Sequence, residues 1–127
     1  MSDRVKDRLE MIRGMTPRLV EGRFVFVTLK AGQSRPDNFG ATMLEDEGVS
    51  VIVPAGATDE HVMRQITLDV HSALDGVGLT AAVSAALADH GIPANVVAGH
   101  HHDHIFVPEE QADLAVDVLR TASKQAE

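Results

Sequence analysis

SALDGVGLTAAVSAALADHGIPANVVAGHHHDHIFVPEE, residues 72–110, carries the pattern that decides the fold. Leu79, Ala82, Val83, Ala86 and Leu87 recur at helical spacing in an alanine-rich run, with Gly91 and Pro93 just past its end as stop signals. PANVVAG then reads as a strand, GHHHD as a turn and HIFVP as a second strand, so a helix is followed by a hairpin. Upstream, ITLDVH (66–71) alternates, with Ile66, Leu68 and Val70 on one face and Thr67, Asp69 and His71 on the other. Downstream, EEQADLAVDVLRTASKQ reads as a final helix, its acids in the first turn where the macrodipole favours them. The order β-α-β-β-α with a right-handed crossover builds an antiparallel sheet with helices on one face, a ferredoxin-like layer.

The first half is read with the same rules. Val5, Leu9 and Ile12 share a helical face, with Asp3 available as a cap, and that helix ends near Gly14 and Pro17. RFVFVTL, residues 23–29, is apolar on both faces around Phe24, Val25, Phe26 and Val27, which predicts a strand covered on both sides. Residues 30–40 are rich in turn formers and form a loop. Two short strands follow around Asp46, Glu47 and Gly48, and Thr58 caps a short helix or helical turn through His61 and Val62. Val53, Pro54, Asp59 and Val62 recur at the same offsets as Val107, Pro108, Asp113 and Val116, a weak internal repeat in which a strand ends at proline and hands over to a helix.

Composition narrows the function classes. The chain has 127 residues, 44% hydrophobic and 24% charged, which suits one folding unit or two small modules sharing a core. A formal charge of -8 with scattered basic residues argues against nucleic acid and against anionic membranes as partners. The absence of cysteine excludes disulfides and thiolate chemistry. MSDRVKDRLE has no apolar targeting core and no later run reaches spanning length, so a cytoplasmic protein is expected.

Asp75, Gly78 and Leu79 fit the D-x-x-G-L pattern that opens the first helix of ACT domains, and ADHGI (88–92) fits the end of that helix. HDHIFVPEE, residues 102–110, resembles the second hairpin of small tandem-ACT proteins of the CASTOR type. The resemblance covers most of residues 66–120 and the first half only loosely. It implies an α+β protein of two ferredoxin-like βαββαβ modules in tandem, an abbreviated one over residues 1–65 and a second over 66–127, with strands shared between the halves. The second module's closing strand is missing after the last helix, so RFVFVTL or another strand of the first half should cover that edge.

Such modules usually bind amino acids or similar small molecules and regulate rather than catalyse. The resemblance therefore points to a ligand site at Asp75, Gly76, Val77, Gly78 and Leu79, with Asp103 facing it from the hairpin. The chemistry suits that assignment: Gly76 and Gly78 permit close backbone approach, free amides at the helix start receive a carboxylate, and an aspartate holds an ammonium group. The same glycines also suit a bare strand-to-helix turn, which leaves a purely structural, oligomer-forming module as the alternative.

Metal binding and catalysis are the other two classes that the histidines raise. On an extended chain His100, His102 and His104 would share a face and could hold a metal, but a turn through His101 and His102 breaks that alternation, so no metal or other cofactor is expected. His71, Asp75, His102, Asp103 and His104 are the general acid or base candidates, with Ser72 and Thr80 nearby, and sequence proximity alone assembles no triad. The expectation is a non-enzymatic, homodimeric, small-molecule-binding protein.

Overall fold

The computed structural model describes residues 3–69 and 78–125, with side chains from residue 9 onward. Its elements are α1 (Asp3–Gly14), β1 (Pro17–Leu19), β2 (Phe24–Leu29), β3 (Ala41–Glu45), β4 (Gly48–Pro54), β5 (Met63–Leu68), α2 (Leu79–Ala88), β6 (Asn95–Ala98), β7 (Asp103–Pro108), a single 3-10 turn at Glu109–Gln111, and α3 (Ala112–Gln125). The strands form one seven-stranded antiparallel sheet in the order β3-β4-β2-β5-β7-β6, with β1 also paired to β5.

The second half is the ferredoxin-like layer that its pattern predicts. Ile66 and Leu68 of β5, Ile105 and Val107 of β7, Leu79, Val83 and Leu87 of α2, and Ala115 and Leu119 of α3 bury one face of the sheet under helices. Helix α2 stops where Gly91 turns left-handed (φ +69), so that Ile92 N–H reaches the Leu87 carbonyl and Gly91 N–H reaches that of Ala88. Buried Ile92 then seals the turn against the core, as a Schellman ending does. Helix α1 packs on α2 and α3, and Ile12 and Met15 join the same core. Ser123 Oγ donates to the carbonyls of Arg13 and Met15, tying the end of α3 to the turn after α1.

The open edge of this layer is closed from the first half, as the missing strand required. Pro17, Arg18 and Leu19 of β1 pair with Leu68, Thr67 and Ile66, and β2 meets the same strand through a single pair, Phe24 with Met63. Strand β5 therefore belongs to both halves: it opens the second layer and closes the first, in which β5-β2-β4-β3 repeats the ferredoxin-like order without helices. The division between residues 65 and 66 falls inside it.

Three expectations are corrected. Strand 23–29 is not covered on both sides: Phe26 and Val27 are 46% and 38% exposed, because residues 30–40 form a loop where a helix would otherwise return over β2. No helix or helical turn forms after Thr58, so the repeat holds in sequence and at Pro108 but not at Pro54. Asp59 Oδ2 accepts the Gly56 N–H at 2.6 Å, closing a tight turn that leads straight into β5. The strand read as 66–71 spans 63–68, because Met63, Arg64 and Gln65 complete the ladder with Pro108, Val107 and Phe106. Arg64 is accommodated there by donating from Nη2 to the Val20 carbonyl. Val70 and His71 lie outside the described residues, and β1 was not anticipated at all.

Candidate functional site

The site read from the sequence lies at one end of the sheet. The register pairs Thr67 with His104, so the end of β5, the start of β7 and the β6–β7 turn sit together there. Helix α2 begins at the same end, because it follows β5 and runs back along the sheet. Asp75, Gly76 and Val77 lie outside the described residues; Gly78, Leu79 and Asp103 are described.

Gly78 caps α2 with φ +103 and ψ -19, a left-handed conformation that favours glycine. Among the described residues no side chain caps that helix start and no acid occupies its first turn, which leaves its amides attractive to an anion. Leu79 is 3% exposed and belongs to the core, so at this position the backbone amide, not the side chain, is what a ligand could meet. Asp103 begins β7, paired with Ala98, and is only 9% exposed on the helix-facing side of the sheet. A carboxylate so shielded is a strong attractor for a cation that can reach it.

The histidines divide. His100, His101 and His102 stand ring beside ring in the turn, with centroids 4.8 Å and 6.5 Å apart for successive pairs. His104 lies on the sheet face opposite the helices, where Thr67 Oγ1 is 2.9 Å and Gln65 Nε2 3.2 Å from its Nδ1. Gln65 also donates to Thr67 Oγ1, making a closed cluster around a threonine that is 2% exposed. Burial lowers the His104 pKa from its usual value, the charge of His102 lowers it further, and the Asp103 carboxylate pulls the other way. His104 is thus held neutral as part of the sheet. Among the described residues no three histidines or carboxylates converge as a metal site.

One feature of the opposite sheet end escaped the sequence reading. Arg23 forms a two-pronged ion pair with Glu109, Nε to Oε1 at 2.7 Å and Nη2 to Oε2 at 3.3 Å, which raises the arginine pKa and lowers that of the carboxyl. Beside it Asp59, His61, Met63 and Glu110 line a cavity of about 330 Å³, and His61 sits at φ +55. Nothing local marks these residues: they meet because β2 and the β7–α3 junction are neighbours only in the folded sheet.

Family comparison follows the same division of the chain. Two ACT-domain family models match in tandem, over residues 5–67 and 60–121, and their overlap takes in all of the shared strand but Leu68. The chain belongs to the ACT-domain family. Among solved structures it is similar to a Vibrio cholerae protein of unknown function, described as a possible transport protein, at 39% identity over 91% of this chain and 95% of that one, with a TM-score of 0.76. An Agobacterium tumefaciens protein shares the fold at 20% identity, covering 86% of this chain and 89% of its own, with a TM-score of 0.67. So does an aspartate kinase of Clostridium acetobutylicum, described as an allosteric enzyme, at 12% identity and a TM-score of 0.60. The match covers 86% of this chain and 34% of the kinase. No curated protein matches the chain.

Proposed function

We propose that this ACT protein is a regulatory, non-catalytic binder of a free amino acid or close analogue, working in the cytoplasm as a homodimer. The observation that carries the reading is the start of α2: a helix that no described side chain caps, with glycine at φ +103, at the same end of the sheet as shielded Asp103. The amides receive the ligand's carboxylate and Asp103 its ammonium group. ACT domains commonly bind small regulatory ligands, and no described helix is long and apolar enough to cross a membrane. The competing reading, a module that only assembles, is favoured by the apolar side chains exposed on β2 and β3.

Thermal scanning with each common amino acid at millimolar concentration separates the two. A ligand at one hundred times its Kd adds about 2.7 kcal/mol, a shift on the order of 10 °C for a chain of this size. Gly78→Val should abolish the response, and Asp103→Ala should weaken affinity about 10- to 150-fold, the range for a lost charged hydrogen bond. A panel that leaves the transition unmoved removes the ligand reading.

A further inference from the structure

Helix α3 carries one apolar side chain that the core leaves over. Ala112, Ala115, Val116, Val118 and Leu119 are buried, whereas Leu114 stands outside that stripe at 48% exposure. Among the described residues it is the only large apolar side chain so exposed on a helix. It borders a groove of about 430 Å³ between α3 and the end of α2. Val118, Ala86 and Ala122 also line this groove; Val118 is buried and the two alanines pack against the core, so together they make an apolar floor. No described side chain of α1, the other helix of this layer, lines it.

The walls fix the shape that fits. On α3 the groove follows Leu114, Val118, Thr121 and Gln125, positions three and four apart that make one ridge of a helix. From the first to the last is about 16 Å along the axis, the length of about three turns of a helix laid alongside. An extended strand there would leave its backbone groups facing side chains that cannot pair with them. The rim fixes the charge. Asp89 enters from the end of α2 and Asp117 from α3, and neither has an ion-pair partner among the described residues. His90 donates from Nδ1 to the Ala86 carbonyl at 2.9 Å, so its neutral ring offers Nε2 as an acceptor. No lysine or arginine lines the groove among the described residues. Acceptors and carboxylates without a cation beside them attract a positively charged, donor-rich partner and repel an acidic one.

We infer that this groove docks a basic amphipathic helix of the protein that the module regulates. An apolar side chain of that helix packs beside Leu114 on the floor of Val118 and the two alanines, and lysines or arginines on its flanks meet Asp89 and Asp117. The alanines let its backbone come close, as small residues do wherever helices cross tightly. That the partner is the regulated protein rests on the regulatory reading above; the groove and its charge stand without a bound amino acid.

Fluorescence anisotropy on the full chain, without added amino acid, tests this with a labelled peptide of about four helical turns, leucine at every third or fourth position and lysine on the flanks. One control peptide carries glutamate for each lysine, and a second scrambles the basic peptide so that its leucine stripe is lost. At about 0.15 M salt the basic peptide should bind at least about tenfold more tightly than either control. Leu114→Gln should weaken that binding about 30-fold or more, the loss typical of a hot-spot side chain. Asp89→Asn combined with Asp117→Asn should weaken it and flatten its salt dependence. Leu44→Gln, at an 80% exposed position on β3 of the helix-free half, should leave the affinity within about twofold, with far-UV circular dichroism unchanged in every variant. A scramble that binds equally well, or an affinity that Leu114→Gln does not alter, overturns the groove as the docking surface. An acidic peptide that binds as tightly as the basic one overturns the basic partner. A basic peptide that does not bind at about 100 μM overturns the proposal as well; if Leu114→Gln then slows the sedimentation of the chain on its own, the occupant is a second copy instead.

Discussion

If β5 serves both layers, damage to it should unfold the whole chain at once. Ile66 is the place to test this, because it is 0% exposed and pairs with Leu19 on one side and Ile105 on the other. Ile66→Ala removes the apolar contacts of a fully buried side chain and leaves a cavity beneath α2 and α3, a loss of about 2–5 kcal/mol. A chain of this length is expected to hold about 6–19 kcal/mol in total, so the variant should still fold. At roughly 3–5 °C per kcal/mol for this size, the transition should fall by about 6–25 °C. Differential scanning calorimetry is the assay, since the chain has neither Trp nor Tyr, and protein concentration must be fixed because association raises the apparent Tm. Val51→Ala provides the partner measurement from the helix-free half, where Val51 is 1% exposed on β4. Both variants should move one and the same endotherm. Two endotherms, with Ile66→Ala moving one and Val51→Ala the other, would show that the halves fold separately and refute the shared-strand reasoning.

Gly48→Ala should cost about 1–3 kcal/mol, because φ there is +142 and an added Cβ would lie 2.8 Å from the Leu29 carbonyl oxygen; a Tm within about 1 °C of wild type in calorimetry would contradict this. His104 is less easily protonated folded than unfolded, so below its usual value near 6.5 the unfolded chain binds more protons. Its contribution to stability should therefore be complete above that pH and fall as the pH drops through it, levelling off below the lowered folded value. His104→Gln should flatten the difference in Tm between pH 7.5 and 5.5, and an unchanged slope would exclude His104 as its source. Glu109, held ionised by Arg23, should lose its stabilising contribution only as the pH falls below the usual carboxyl value of 4.5, and Arg23→Gln should remove that acid-side dependence. An acid titration of Tm unaffected by that substitution would show the ion pair to be energetically silent.

What could be read from the sequence was local periodicity. Helix α2 and the β6–β7 hairpin follow from side chains recurring at intervals that one face of a helix or strand imposes, and Gly91 does end its helix in the left-handed turn that glycine permits. Strand β1 escaped because PRL is three residues long and acquires its ladder only from the distant β5. Thr58 reads as the N-cap of a short helix or helical turn through His61 and Val62 because threonine suits that position, yet the Asp59 carboxylate closes a turn on Gly56 instead. RFVFVTL reads as a buried strand because composition reports how apolar a segment is, not whether anything lies against it. Of the proposed site, the positive φ of Gly78 agrees with the D-x-x-G-L pattern that opens a helix, and Asp103 stands at the start of β7 in the hairpin that the resemblance implies. Leu79 was legible as part of the motif, but its side chain faces the core. The Thr67, Gln65 and His104 cluster depends on a pairing across 37 residues that no local pattern announces.

The two halves present different chemistry. The helix-bearing layer holds the amides, glycine and aspartate that suit a charged small ligand; the helix-free layer holds the exposed apolar strands that suit another protein surface. Between them the backbone ladder from β2 to β5 is one residue pair wide, Phe24 with Met63. Side chains reinforce it: the rings of Phe24 and Phe26 stand edge-on to Phe106 at 5.9 Å and 5.4 Å, and Phe106 is 3% exposed. Phe106 sits on β7, two residues from His104 and three from Asp103, so it shares a rigid strand with the end of the sheet where a ligand is proposed. The cluster, rather than the narrow ladder, therefore supplies the close-packed contact that ties β2 to β7 across the two layers.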